Sequence, residues 1–501
     1  MPAREDSTYR WPSWVFLKFL AAIYMIAFLS LWTQVSGLIG SHGILPAHEF
    51  LESVRHGMGP ERYWFLPTVF WFNASDLVLH FVCALGVVIS LTAIIGFAQP
   101  LCFICLWVFY LSFTTVAREF FGFQWDALLL EVGFLAIFLA PFRLMPKSPH
   151  SDHPSGIVLI LYRFLLFKLM FSSGLVKLAS GDPAWRDLTA LTYHYETQPL
   201  PTWVGWYMHQ LPAWFHKIST VGTFWVELAV PFFVFGTRRF RLIAVASITA
   251  LQVLIMLTGN YCFFNLLTIA LCLLLVDDRI WVNNSEAVEP HLSPAGAGIF
   301  SLVRKAVISV IAALYLLLTT IEITGASRVL IPWPAALLKF HYLASALRTV
   351  NSYGLFAVMT KKRPEIIVEG SNDGVKWLPY EFKWKPGRLD GRPRFVEPHQ
   401  PRLDWQMWFA ALGSYKNSPW FLSFTRRLLE GSPEVLALLK ENPFPDSPPR
   451  YVRAVMYDYH FTNLRAKRGD GFWWRRDSER LYLPPISLKR REGNLPEKVS
   501  S

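Results

Sequence analysis

Apolar residues are not spread evenly along this chain. Up to about residue 323 they gather into long runs; beyond it they break into short segments separated by polar residues. A helix needs about 20 predominantly apolar residues to cross a bilayer. By that measure nine stretches are candidate spans: 14–32, 76–97, 100–117, 124–142, 157–178, 219–236, 240–258, 261–276 and 301–323. Those at 100–117 and 261–276 are short. The first is followed by LSLWTQVSG rather than a small-residue cleavage site, which marks an anchor and not a cleaved signal peptide.

Two long loops, 33–75 and 179–218, are rich in Gly, Pro, His and Trp. In the first, Gly37, Gly40 and Gly43 permit close packing. Its aromatic run YWFLPTVFWF suits a segment lying along the membrane interface. After 324, IPWPAALLKFHYLASALRTV reads as a helix lying on the membrane. EIIVEG, VKWLPYEFKW and YVRAVMYDYHF read as strands, with a turn at SNDG. LDWQMWFAAL, WFLSFTRRLLEG and SPEVLALLKEN read as short helices, the last capped by Ser432 with Pro433 at its first position. The predicted organisation is a helical transmembrane domain over 1–323, a β-rich domain over 324–485 and a disordered basic tail over 486–501. The fold class is thus a polytopic α-helical membrane protein of about nine spans with a C-terminal extracytoplasmic α+β, β-rich domain.

Composition agrees with a membrane protein: 53% of residues are hydrophobic and only 17% charged, against roughly 25% in soluble domains. The charge is lopsided. Residues from 325 on hold 29 Lys+Arg against 17 Asp+Glu, so the whole net charge of +12 lies there (29 − 17 = 12). A basic excess of this kind suits an acidic partner surface or membrane lipid headgroups. Lys and Arg near span ends set orientation. With nine spans, Arg4, Arg10, Arg143, Lys147, Arg238, Arg239, Arg241, Arg304 and Lys305 all fall on one side. That places the N-terminus in the cytoplasm and the C-terminal domain, with both long loops, outside.

All five cysteines lie in apolar runs, so no disulfide framework holds the C-terminal domain, and the Cys102-x-x-Cys105 pair reads as buried packing. There is no P-loop, G-x-G-x-x-G or G-x-S-x-G, and His42, His48, His56 and His80 form no H-E-x-x-H. No metal site is expected, and no nucleic-acid partner.

Six ionisable residues fall inside predicted spans: Lys18, Glu131, Arg163, Lys168, Lys177 and Glu227. Each costs at least about 2.5–3.5 kcal/mol at mid-bilayer unless paired. Glu131 and Arg163 are the expected pair. Arg163 and Lys168 are five residues apart, about 140° on a helix, and should face different neighbours.

The densest polar chemistry lies in SSGLVKLASGDPAWRDLTALTYHYETQPLP, residues 172–201. Lys177 sits at the outer end of a span, where burial lowers a lysine's pKa and makes it a base. His194, Tyr195 and Glu196 follow as potential acid–base or hydrogen-bonding partners, and Asp182, Trp185, Arg186 and Asp187 fit a turn into a helix. A seat for the C-terminal domain is the other reading of this stretch.

Over nearly its full length the chain resembles the lipase maturation factor family. The matching pieces are GLIGSHGILPA, FQWDALLLEVGFLAIFLAP, KLMFSSGLVKLASGDPAWRDLTALTYHYETQPLP, GLFAVMTKKRPEIIVEGSNDGVKWLPYEFKWKPG and PHQPRLDWQMWFAAL. The resemblance implies a multispan protein whose lumenal domain helps secreted dimeric lipases reach an active state in the endoplasmic reticulum. It implies a non-enzymatic factor without a cofactor, whose partner is a client lipase or other exported protein. Client contact would use exposed aromatics of that domain such as Trp405, Trp408, Trp473 and Trp474, although residue by residue ordinary core packing is the favoured reading of these rings; Asp182, Trp185, Arg186 and Tyr195 are binding candidates in the loop. The chain ends EKVSS without a retention signal, and sequons occur only at Asn73 and Asn283. Together these favour a bacterial inner membrane over the endoplasmic reticulum. The membrane part also resembles vitamin K-dependent gamma-carboxylase and its transmembrane relatives, in which a lysine deprotonates reduced quinone. Lys177 is the matching position, although Val176 stands where that family has a second lysine. That resemblance implies an enzyme with Lys177, His194 and Glu196 as catalytic groups and a reduced quinone or lipid-like substrate.

Overall fold

A computed structural model describes residues 8–145, 154–280, 299–327, 329 and 331–488. Arg4, Lys147, Asn283 and the tail beyond 488 lie outside the described residues.

Every predicted span is helical. Among the described residues six helices are long and apolar enough to cross a membrane: α1 (Arg10–Trp32), α2 (Asp76–Ile95), α3 (Gln99–Ala117, continued by a 3-10 turn to Phe121), α5 (Gly156–Ala179), α7 (Arg238–Thr258) and, over residues 302–326, α9 (Ile299–Ala326). The other three predicted spans fall short by length or continuity. α4 (Gln124–Leu139) is 16 residues, about 24 Å at 1.5 Å per residue. α8 (Phe264–Leu273) has 10 residues. The sixth predicted span is split into Ala213–Phe224, a π-helical turn Trp225–Ala229 and Val230–Phe233. Pro231, which has no N–H to donate, is the second residue of the helix that follows the turn.

Turn chemistry sets the helix ends. Gly96, at φ +102°, closes α2 in the left-handed conformation that a residue with a Cβ rarely adopts. Asp182 caps the short helix Pro183–Arg186 by accepting from the Ala184 N–H at 2.9 Å, with Pro183 in the first turn.

The bundle has two distinct ends. At one, Asp278 accepts from the Trp11 N–H at 2.9 Å, Arg238 pairs with Asp277 at 3.1 Å, and Ala98 donates to Leu144 O. The basic clusters at residues 10 and 238 thus share one end. At the other end sit both long loops and the whole C-terminal domain.

That domain is built on a four-stranded antiparallel sheet in the order β2-β1-β5-β6: β1 (Arg363–Ser371), β2 (Leu378–Pro379), β5 (Tyr451–Phe461) and β6 (Trp474–Ile486). A small second sheet pairs β3 (Glu381–Phe382) with β4 (Leu439–Glu441). The predicted turn at SNDG is present: Asp373 accepts from the Val375 and Lys376 N–H groups, and Gly374 takes φ +74°. The predicted helix SPEVLALLKEN is cut short: Pro433–Leu436 forms a single turn capped by Ser432, and Leu439–Glu441 becomes a strand. α10 (Ala335–Ser345) follows the last span and buries none of its residues.

Candidate functional site

The stretch 172–201 folds as the C-terminal end of α5, the turn Pro183–Arg186, and α6 (Ala190–Thr197). Lys177 is buried. Its Nζ donates to both carboxylate oxygens of Glu227 at 2.8 Å and to Ser173 O at 3.0 Å, and lies 5.3 Å from the centre of the Trp185 ring. Three donors meet three acceptors, so the ammonium is fully satisfied. Glu227 reaches it from the π-helical turn, the local widening that carries this side chain inward.

His194 lies near Lys177 but bonds elsewhere: Nε2 is 3.3 Å from the Tyr261 hydroxyl, which donates to Gln198 Oε1 at 2.9 Å. Burial pushes the His194 imidazole down to about 4, and the Lys177 ammonium adds to that. Glu196 turns away from both. Its Oε2 accepts from the Phe461 N–H at 2.7 Å and its Oε1 is 3.2 Å from His460 Nδ1, both on β5. The expected convergence of Lys177, His194 and Glu196 is therefore not formed, because α6 spends Glu196 on the C-terminal sheet. Val176, where the carboxylases have lysine, packs on Gly354 so closely that a Cβ there would lie 2.4 Å from its methyl. Gly354 also sits at φ +153°.

What 182–201 does instead is carry the C-terminal domain. Arg363 of β1 is fully buried; it donates to Glu196 O at 2.7 Å, to Pro199 O at 2.8 Å and to Gln198 O, and pairs with Glu365 at 2.6 Å. Asp182 accepts from the Met359 N–H at 2.6 Å and Trp185 donates to Phe356 O at 2.9 Å. Tyr195 is buried with Trp206, Ile367, Tyr459, Phe461 and Trp474. Arg186 is exposed on the same turn.

Trp405 and Trp408 are not open to a client. Both lie on α11 (Arg402–Ala411) and are 3% and 6% exposed. Trp405 packs edge-on to Trp125 at 4.7 Å, and Trp408 donates to Thr197 O at 2.8 Å. Trp474 is buried as well, and Trp473 is half-buried against Trp206. Aromatic composition alone did not distinguish a client surface from an internal interface, since both favour large rings with a polar handle.

A second contact, which the sequence reading did not isolate, is the segment 394–406. Arg402 is buried against the bundle, bidentate to Asp126 at 2.9 and 3.0 Å, and donates to Phe120 O at 2.5 Å and Tyr110 OH at 3.2 Å. Tyr110 in turn donates to Asp126. Gln34 bonds the Arg402 N–H and Gln400 O. Ser30 accepts from the Gln400 N–H and is 2.9 Å from His399 Nδ1. Asn260 joins Arg394 O to the Val396 N–H, and Glu397 accepts from the Tyr261 N–H. The only available signal was the run of Gln, Arg and Asp in PHQPRLDWQ, which is polar yet bounded by aromatics.

The expected pair of Glu131 with Arg163 is corrected. Glu131 bonds Lys168 at 2.5 Å, Tyr315 at 2.5 Å, Tyr353 at 2.6 Å and Asn351 at 3.1 Å. Arg163 lies over the Tyr9 ring, 5.0 Å away, near the opposite end of the bundle. The five residues between Arg163 and Lys168 turn them to different faces of α5, and Lys168 is the one facing α4. Among the described residues no group of three or more His, Cys, Asp or Glu is arranged to hold a metal.

A helical membrane bundle joined to a β-rich domain by the buried Arg402–Asp126 pair and a seam of hydrogen bonds defines the class: an integral membrane protein with a C-terminal domain seated on its helices. The family described as lipase maturation factor transmembrane domain matches residues 11–283, and lipase maturation factor C-terminal domain matches 349–484. Lipase maturation factor 2 of Gallus gallus is 37% identical, covering 96% of this chain and 82% of its own length. Lipase maturation factor 2 of Homo sapiens is 36% identical over 96% and 83%, and lipase maturation factor 1 of Mus musculus 34% over 97% and 90%. The chain belongs to the lipase maturation factor family. No solved structure matches it.

Proposed function

We propose that this chain is a membrane-anchored maturation factor for exported lipases, in which the bundle holds the C-terminal domain rigidly at the outer membrane surface. The observation that carries the reading is the joint match of both halves to one family, together with the buried polar seam that fuses them. The client is a lipase or similar exported protein. The domain faces the endoplasmic reticulum lumen, or the periplasm if the source is bacterial, because the basic clusters share the other end. Client contact then falls on surface the seam leaves open. The outer edge of β6 fits best: it pairs with β5 alone among the strands, residues 475–481 are exposed, and Phe472 lies exposed beside it. An open edge strand accepts an extended segment of a partly folded chain. A non-enzymatic role agrees with Lys177 having every donor engaged.

The test is expression of the full chain with a secreted lipase in cells lacking their own maturation factor. The expected result is a rise in secreted lipase activity per unit of lipase protein. Unchanged specific activity, with the factor present in the membrane, sinks the proposal.

A further inference from the structure

At the end of the bundle that carries the C-terminal domain lies a cavity of about 250 Å³ that none of the docking contacts fills. Its walls are the outer ends of three membrane helices and the linker after the last span: Thr114 of α3, Gln124 of α4, Glu322 of α9, and Ser345, Arg348 and Asn351. Asn351, one of the lining residues, donates through Nδ2 to Glu131, which links the cavity wall to the buried Glu131–Lys168 pair. It is smaller than the roughly 300–1,000 Å³ of a drug-sized site, a scale that fits a polar headgroup and excludes a whole lipid.

The polar groups are of two signs. Arg348 is exposed, and among the described residues it makes no ion pair. Its backbone is held at φ +51° by the Asn351 side chain, which donates to Arg348 O at 2.9 Å. A non-glycine residue in that region is uncommon and persists where its surroundings fix it. Glu322 supplies the negative charge and uses one oxygen to meet His341 Nε2 at 2.8 Å, tying α10 to the last span.

The surroundings are those of a bilayer surface. α10 buries nothing, and Leu338, Phe340 and Tyr342 are exposed along it. It lies beside the exposed pair Tyr63 and Trp64: Trp64 donates to Leu343 O at 3.1 Å, and Phe65 meets the Tyr342 ring at 5.6 Å. Exposed aromatics joined to a span end are the composition of an interfacial belt.

We infer that this cavity binds the headgroup of a membrane phospholipid with an ethanolamine-type amine, its phosphate on Arg348 and its ammonium at Glu322. The acyl chains run down the lipid-facing side of α9 and α10. An Arg guanidinium is the side chain best matched to a phosphate. The inference does not depend on the lipase reading.

Native mass spectrometry of the full chain in maltoside micelles tests it, with added phosphatidylethanolamine, phosphatidylglycerol or soluble phosphoethanolamine. The expected result is one retained phosphatidylethanolamine per chain. Arg348→Ala should lower its occupancy at least fivefold, while Arg348→Lys stays within twofold. Glu322→Gln should abolish the preference for phosphatidylethanolamine over phosphatidylglycerol. Ser345→Phe, which fills the cavity without altering charge, should also exclude the lipid. Wild-type occupancy in Arg348→Ala or Ser345→Phe, or lipid adducts without fixed stoichiometry, would overturn it. So would displacement of the lipid by an equal concentration of soluble phosphoethanolamine, which would make the occupant a free phosphate ester.

Discussion

Two of the buried ion pairs in this molecule, Lys177–Glu227 and Asp126–Arg402, have similar chemical settings and do different work. Lys177 and Glu227 lie 50 residues apart and close within the membrane half. Asp126 and Arg402 lie 276 residues apart and join the membrane half to the C-terminal domain. Both are buried and both are bidentate. The difference is where the desolvation cost is recovered. Inside the bundle, the pair neutralises charge in a span whose helix is already widened by a π-turn. Between the halves, the two partners lie on different halves of the chain, so neither is satisfied until the halves pack together. A buried pair is weak evidence for stability but strong evidence for register. Here the register it sets is that of one half on the other.

The sharpest way to break the comparison is Arg402→Ala. It leaves Asp126 buried without its partner, and loss of one member of a buried pair costs about 3–5 kcal/mol. The expected outcome is a fall in thermal midpoint in detergent, with protease cutting between the halves. Arg402→Met with Asp126→Leu should recover most of the loss, since an apolar replacement of both partners is often neutral. No recovery would mean that the pair does more than hold register. Arg363→Ala ranks next. It strands the carbonyls of Glu196, Gln198 and Pro199, at a cost of about 3 kcal/mol for the charge-assisted bonds. It should loosen the 182–201 seat while the 394–406 contact persists, which hydrogen exchange of the two segments resolves.

The sequence revealed much of the membrane half and little of the seam, for a physical reason. Hydropathy reports burial against lipid, so nine helical stretches were legible although α4 and α8 are short. It does not report partners. Glu131 chose Lys168 over Arg163 through helical phase, a choice that needs the rotation of α5 relative to α4. Trp405 and Trp408 were legible as special, and core packing was the favoured reading of each ring; that they pack against the other half could not be read, because a ring facing another half of the same chain has the composition of a ring facing a client. β6 was missed because its exposed residues 475–481 lack the alternation of a half-buried strand, and its pairing with β5 is broken by register shifts. Segment 182–201 was legible as dense in polar chemistry. Its use as a seat emerges only when β1 and β5 are brought to it.

The seam also predicts a dependence on pH. Burial raises the Glu397 carboxyl from 4.5 to about 8, and lowers His399 from 6.5 to about 4, with Arg402 and Lys383 adding. The signs oppose. The raised carboxyl stabilises the docked state fully below about 4.5 and loses that contribution as pH rises through about 8. The depressed imidazoles of His399 and His194 contribute above about 6.5 and lose it as pH falls toward about 4. Thermal midpoints should therefore peak between these limbs. Glu397→Gln should remove at least half of the alkaline loss and leave the acid limb in place. An unchanged alkaline limb would place the titrating group elsewhere.

The smallest expected effect sharpens the comparison from its other side. If Lys177 and Glu227 only neutralise each other, Lys177→Met with Glu227→Leu removes both charges at once and should shift stability by less than about 1 kcal/mol. Neither residue bonds the C-terminal domain, and Lys177 meets the seat only over the Trp185 ring, so protease resistance between the halves and lipase maturation should both persist. Lys177→Met alone should cost more than the double change, because it leaves a buried carboxylate without its ammonium. The single and double variants together measure the coupling between the two groups. Should the double variant stay folded in the membrane yet lose maturation activity, Lys177 would carry a function that its satisfied hydrogen bonds do not display. The distinction between an ion pair that closes the bundle and one that joins its halves would then fail at this site.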